Sequence, residues 1–112
     1  MIASTPKTPY YAVIFTSINT AEGSDYSVMA DLMVQLAQRQ DGFLGIESAR
    51  NELGITVSYW RDLESIKKWK ENTDHSVARE RGRKEWHQAF KTRIALVERD
   101  YGFEKDKTTY NI

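Results

Sequence analysis

Trp60, Trp69 and His75 are the residues of this chain whose types and spacing could do chemistry together. Gly54-Ile-Thr-Val-Ser-Tyr-Trp60 reads as a buried strand that ends in an indole. Asp62-Leu-Glu-Ser-Ile-Lys-Lys-Trp69 reads as a helix that starts at once and carries a second indole, with His75 just beyond it. An imidazole titrates near neutral pH, so beside two indoles in an apolar pocket it could act as a general base. Trp60 and Trp69 could stack on a flat aromatic substrate, each offering an N–H donor. Tyr59 and Tyr11 could donate to a carbonyl or enolate oxygen. Arg50 and Arg83 could hold an anionic group.

Each of these residues also has a structural explanation. A buried Trp is more often plain core, and strand tyrosines more often fill a core or an interface. His75, just after Asp74 at a helix start, could equally cap that helix or pack on Trp69 or Trp86. Arg50 could pair with Glu47 or Glu52. The run Arg79-Glu-Arg-Gly-Arg-Lys-Glu85 is mixed in sign and fits a solvated helix face.

Composition narrows the options. The 112 residues hold 16 Lys+Arg and 16 Asp+Glu, a formal net charge of +0, so no global field attracts nucleic acid or an anionic membrane. The chain has no cysteine, which removes disulfides, thiolate metal sites and thiol nucleophiles. Two histidines without clustered spacing argue against a metal site. No glycine-rich phosphate loop or dinucleotide fingerprint is present, so no cofactor is expected. No apolar run approaches the roughly 20 residues that span a bilayer. The first nine residues lack a secretory pattern, and a cytoplasmic protein is the expectation.

The elements that must position these residues follow from periodicity. Tyr10 to Ser17 is β-branched and aromatic, and predicts a first strand. From Tyr26, Met29, Leu32, Met33, Leu36 and Ala37 recur at helical spacing, and Gln40-Asp41-Gly42 ends that helix with glycine as a left-handed cap. Phe43–Arg50 and Ile55–Trp60 predict two strands in a hairpin around Asn51-Glu-Leu-Gly54. Asp62 caps the next helix, which buries Leu63, Ile66 and Trp69. A short helix through Val77 and Ala78 and a last strand over about 91–101 complete the chain. Residues 1–9 read as a flexible lead-in, 10–103 as the domain and 104–112 as a polar tail. The order predicts an α+β fold: a ferredoxin-like βαββαβ antiparallel sheet with both helices on one face.

That face assignment leaves a surplus of apolar surface. Tyr11, Val13 and Phe15 lie on one side of the first strand, and Ala12 and Ile14 on the other. The last strand, with Ile94 and Leu96 alternating with Ala95 and Val97, is also two-faced. Helices on one face cover one side, so a homodimer packed sheet against sheet is expected.

The chain resembles the antibiotic biosynthesis monooxygenase superfamily of dimeric α+β barrels, and within it the small bacterial members of unassigned function. The matching segments include Tyr11-Ala-Val-Ile-Phe-Thr-Ser17, Gln40-Asp-Gly-Phe-Leu-Gly-Ile-Glu-Ser-Ala-Arg50, Gly54 to Trp60, Ile66-Lys-Lys-Trp69, His75, Gly82-Arg-Lys-Glu-Trp86 and Arg93 to Arg99. The resemblance implies a cofactor-independent monooxygenase acting on a small aromatic or polyketide-like compound between sheet and helices. His75 would then be the base, Trp60 and Trp69 the walls, Tyr59 or Thr16 the donors and Arg50 a substrate contact. A non-catalytic dimeric protein that binds a small hydrophobic or aromatic molecule is one alternative, and a haem-binding or haem-degrading member is a second. The haem-degrading branch combines a first-strand Asn, a Trp on the second helix and a haem-ligating His ten positions later. Trp69 matches, but Thr16 or Ser17 stands at the first position and Arg79 at the third, and a guanidinium does not ligate iron as an imidazole does.

Overall fold

The computed structural model describes residues 2–19, 34–72 and 87–105. Four strands form one antiparallel sheet: β1 (Tyr10–Asn19), β2 (Phe43–Arg50), β3 (Leu53–Trp60) and β4 (His87–Val97), in spatial order β2-β3-β1-β4. Between β1 and β2 the chain is helical at residues 34–38, the described part of α1. Between β3 and β4 lies α2 (Leu63–Glu71). The sheet is open, with β2 and β4 at its edges. This is the expected ferredoxin-like arrangement. The short helix expected through Val77 and Ala78 lies outside the described residues, as do Met29, Leu32 and Met33.

Three strands differ in extent from the expectation, for one reason: β1 runs on two residues past Ser17, to Asn19. β1 is paired along its whole length, from Tyr10 against Val97 to Asn19 against His87, so the ladder fixes where β4 begins and ends. The last strand therefore starts at His87 and stops at Val97 instead of covering about 91–101. Likewise Ile18 pairs with Leu53, which draws β3 back two residues and leaves Asn51 and Glu52 as the hairpin connection.

The joints follow the sequence chemistry. The described part of α1 ends at residue 38 with the Arg39 and Gln40 N–H groups donating to the Leu36 and Ala37 carbonyls, so Gly42 is not its cap as expected; Gly42, at φ +90°, instead stands in the Gln40–Phe43 turn that leads into β2, and its carbonyl accepts from the Arg61 N–H at 2.8 Å. Asp62 caps α2: its carboxylate accepts from the Ser65 N–H at 2.8 Å and the Ser65 hydroxyl at 2.7 Å. Those two bonds, then Arg61, hold the Asp62 carboxyl down at about 2. Glu64 in the first turn and Lys68 and Lys70 in the last complement the helix dipole. The buried side of α2 is Ser65, Ile66 and Trp69. Leu63, expected on that side, is 53% exposed: it is the first residue of the helix and borders the open recess between α2 and β4.

The core joins Ala37, Trp60, Ile66 and Trp69, with Tyr11, Val13, Leu36 and Phe43 packed against it. The opposite sheet face is partly covered by the chain's own beginning. The Ala3 N–H donates to Glu47 Oε2 at 2.9 Å, and the Thr5 hydroxyl donates to the Tyr10 hydroxyl at 2.9 Å. Residues 2–9, expected to be loose, thus hold two bonds to the sheet. Beyond them that face is open: Ile18, Leu53 and Ile55 are 41%, 49% and 41% exposed.

Candidate functional site

Strand pairing assigns every candidate to a face. Trp60 sits opposite Tyr11 and Phe43, and Tyr11 sits opposite Leu96, so these residues share the side covered by the helices. Trp60 is 0% exposed. Its ring stands edge-on to Phe43 at 5.4 Å and stacks on Trp69 at 6.0 Å. Its Nε1–H donates to Ser58 Oγ at 2.9 Å. The two indoles are brought together as the sequence suggested, but as close-packed core at one end of the sheet.

Two residues per step, the same side of β3 runs from Trp60 through Ser58 and Thr56 to Gly54. The opposing positions on β1 are Val13, Phe15 and Ser17, and those on β2 are Ile46, Ser48 and Arg50. Away from the indoles, then, the helix side of the sheet mixes the hydroxyls of Ser17, Ser48, Thr56 and Ser58 with the apolar Val13, Phe15 and Ile46. Phe15 and Phe90 lie in this stretch, with ring centroids 5.5 Å apart. At its far end the Arg50 guanidinium crosses the β3 backbone at Gly54 and donates to the Ser17 hydroxyl. A Cβ at Gly54 would coincide with that guanidinium, so glycine leaves the slot in which it lies. Ser17 itself is 1% exposed.

Arg50 and the indoles therefore mark opposite ends of one strip. Six residues of strand separate Gly54 from Trp60, about 20 Å at the usual rise. A small molecule can span the middle of the strip, but it cannot touch both ends.

Tyr59 and Thr16 fall on the other face. Tyr59 opposes Ala12, and Thr16 opposes Ile55, in positions that alternate with the helix-side residues. The Tyr59 hydroxyl donates to Glu47 Oε1 at 2.6 Å, and its ring meets Tyr10 edge-on at 5.8 Å. The Tyr10 hydroxyl donates to Asp100 Oδ2 at 2.5 Å. Burial and then the Glu47 carboxylate push the Tyr59 phenol up to about 12. The Tyr59 and Ala3 hydrogen bonds pull Glu47 below its ordinary value. Neither Tyr59 nor Thr16 reaches the space between sheet and helices, because strand side chains alternate.

A recess of about 450 Å³ opens between α2 and β4, lined by Leu63, Ile66, Lys67, Lys70, Glu71 and Ile94. Ile94 opposes Val13, which opposes Ser58, so the recess lies over the β4 end of the strip's middle row. His75, Arg79, Arg83 and Trp86 lie outside the described residues. Among the described residues no group of three or more His, Cys, Asp or Glu side chains could hold a metal ion, and no helix is long and apolar enough to cross a membrane.

Ser17, Thr56, Ser58, Phe15 and Phe90 were not singled out from sequence as a site. The signal was present in β3. Its apolar residues Leu53, Ile55, Val57 and Tyr59 face away from the helices, while Gly54, Thr56 and Ser58 face them. A sheet covered by helices on one side ordinarily shows the reverse.

Comparison with known proteins adds three findings. The model of a family described as monooxygenase af470-like matches residues 20–108. The uncharacterized protein YqjZ of Bacillus subtilis (strain 168) is 42% identical over 107 residues, covering 94% of each chain. Two solved structures share the fold. One is a mutant of SnoaB, a cofactor-independent oxygenase from Streptomyces nogalater, with a TM-score of 0.73 at 8% identity, covering 83% of this chain and 97% of that one. The other is Rv0793 from Mycobacterium tuberculosis, with a TM-score of 0.72 at 10% identity, covering 83% and 98%.

Proposed function

The chain belongs to the monooxygenase af470-like family, of the antibiotic biosynthesis monooxygenase type, and on that premise we propose that it is a cofactor-independent monooxygenase. Its substrate is a small aromatic or polyketide-like molecule held between the sheet and α2. The observation that carries this reading is the inverted pattern of β3. Hydroxyl groups facing the helices weaken a core and suit a polar substrate. The likeness to SnoaB supports the reaction class.

In this chemistry a base removes a phenolic or enolic proton, and the electron-rich carbanion reacts with O2. For a ring CH2 oxidised to a ketone, one oxygen atom enters the product and the other leaves as water, so the reaction balances without an added reductant. Ser58 and Thr56 supply dipoles where negative charge develops. His75 is proposed as the base. It lies three residues beyond the Asn72 cap of α2, a reach of at most about 10 Å at 3.3–3.6 Å per residue. Lys70 and Glu71, on the wall of the recess, are at that same end of the helix.

The open outer face, with Ile18, Leu53 and Ile55, is proposed to be covered by a second copy of the chain, and the protein to work as a homodimer in the cytoplasm. A second reading is a non-catalytic protein that binds a small hydrophobic molecule, favoured by the apolar Leu63, Ile66 and Ile94 around the recess. Oxygen uptake separates the two. The purified protein, with chelator present, should raise O2 consumption above the buffer rate with at least one compound in a panel of phenols and anthrones. Uptake that stops with chelator, or ligand binding with no uptake, overturns the oxygenase reading.

A further inference from the structure

We propose that Trp69, Trp60, Tyr59 and Tyr10 form a relay that carries a single oxidising equivalent from the helix side of the sheet, through the sheet, to its outer face. The relay goes beyond the oxygenase reading above, on which only the source of the oxidant rests.

The relay starts at two stacked indoles. The Trp60 and Trp69 rings lie 6.0 Å apart with 28° between their planes, so a hole on one is shared by both. The Trp60 Nε1–H donates to Ser58 Oγ at 2.9 Å, which ties the pair to the row where oxygen chemistry is proposed. Tyr59 is the residue before Trp60, its Cα about 3.8 Å away, and strand alternation sends its ring to the other face. The electron path therefore crosses the sheet along one covalent link. On the outer face Tyr59 meets Tyr10 edge-on, with centroids 5.8 Å apart.

The second observation concerns protons. A phenol gives up an electron readily only when its proton can leave with it, because the protonated radical is a strong acid. Both phenols have an acceptor in place. The Tyr59 hydroxyl donates to Glu47 Oε1 at 2.6 Å and the Tyr10 hydroxyl to Asp100 Oδ2 at 2.5 Å, short bonds to carboxylates. Tyr10 is 5% exposed, whereas Asp100 is exposed and can pass the proton to water.

The oxidant is a peroxyl radical, the one-electron species that escapes when a carbanion reacts with O2. It takes one electron from the indole pair and becomes a peroxide anion, which water protonates. Tyr59 refills the indole hole, and its proton moves to Glu47. Tyr10 then gives one electron to the Tyr59 radical, Glu47 returns the proton to the Tyr59 oxygen, and the Tyr10 proton passes to Asp100. The net change is one O–H bond broken at Tyr10 and one formed on the peroxide. A soluble thiol restores Tyr10 by giving up a hydrogen atom.

The test uses light in place of substrate, under nitrogen. A ruthenium polypyridyl photo-oxidant is attached through Lys68→Cys, an exposed position next to Trp69 in a chain without cysteine. Tyr101, 73% exposed, is replaced by Phe throughout so that direct oxidation from solvent does not contribute. After flash and quench, transient absorption should show an indole radical that decays as a phenoxyl radical grows. Tyr59→Phe should lengthen the life of the indole radical and abolish the phenoxyl signal. Trp60→Phe should also abolish it, and Tyr59→Phe, at a position on the outer face, keeps the test valid if Trp60→Phe fails to fold. Glu47→Gln and deuterated water should each slow phenoxyl growth, an effect that a purely structural hydrogen bond would not give. The relay is overturned if no indole radical forms, if its decay is the same with and without Tyr59, or if the phenoxyl signal survives Trp60→Phe. Tyr11 also packs against the indoles, so loss of the signal in Tyr11→Phe with retention in Tyr59→Phe overturns the route as well. A working relay in a protein that shows no oxygen uptake would sink the oxygenase reading and leave the relay standing; uptake with no relay would do the reverse.

Discussion

Truncating Trp60 separates a pocket wall from a structural core. Trp60→Ala removes a ring that is 0% exposed and touches Phe43 and Trp69. Large aromatic truncations in cores cost about 3–5 kcal/mol, and aromatic pairs add about 0.5–1.5 kcal/mol beyond area. The change also deletes the donor that satisfies Ser58 Oγ. The upper end of the range, about 5 kcal/mol, is the expected loss. A domain of this size has roughly 6–17 kcal/mol in total. At about 4 °C per kcal/mol, the melting temperature should fall by about 20 °C. Trp69→Ala, at 9% exposure, should cost less, about 3 kcal/mol. Urea unfolding followed by circular dichroism gives both values. A loss below about 1 kcal/mol for Trp60→Ala would refute the core assignment, because walls of ligand pockets tolerate truncation that cores do not.

The outer face offers a titration. Tyr59 should ionise at about 12 by ultraviolet absorbance, and Glu47→Gln should bring it down towards ordinary tyrosine. Because Glu47 is lowered, its contribution is complete above its unfolded value of 4.5 and is lost as pH falls below that, so Glu47→Gln should make the acid limb of the stability curve shallower; an unchanged limb would be a failure. The raised Tyr59 works in the opposite sense, with stability lost between pH 10 and about 12. Gly42→Ala should cost about 2 kcal/mol, since the position has φ +90° and a Cβ there would strike Ser65, the partner of the Asp62 cap. Leu53→Lys should convert the proposed dimer to monomer in sedimentation equilibrium at low micromolar concentration, whereas a wild-type monomer would end the dimer proposal. Thr56→Val should leave stability within about 1 kcal/mol and weaken binding of aromatic probes on the strip; unchanged binding would place the ligand elsewhere.

The fold was legible because its signals are local: a positive-φ glycine in the turn that leads into β2, an aspartate capping α2, and helical spacing that puts Ile66 and Trp69 on one side. The site was legible only by type. Tyr59 and Trp60 are neighbours in sequence and read as partners, yet consecutive strand residues point to opposite faces, and the sheet itself separates them. Arg50 and Ser17 are distant in sequence and meet because β2, β3 and β1 lie side by side. The exposed strand boundaries could not be read from composition either, since the length of β1 sets where β4 ends.

β3 links the two parts of the functional proposal. Its alternation places Leu53, Ile55 and Val57 outward and Gly54, Thr56 and Ser58 inward. A strand built for a monomer's core would turn the first set toward the helices. Shifting it by one residue would do that, but it would bring Tyr59 into the core and send Trp60 out to solvent. Trp60 and its contacts to Phe43 and Trp69 therefore hold the strand in the register that keeps the hydroxyls of Thr56 and Ser58 on the helix side of the sheet. The same register leaves an apolar surface on the outside that a second copy can bury. The proposed dimer and the proposed polar site would then have one cause: the apolar burial that the inward side of β3 gives up would be supplied by its outward side.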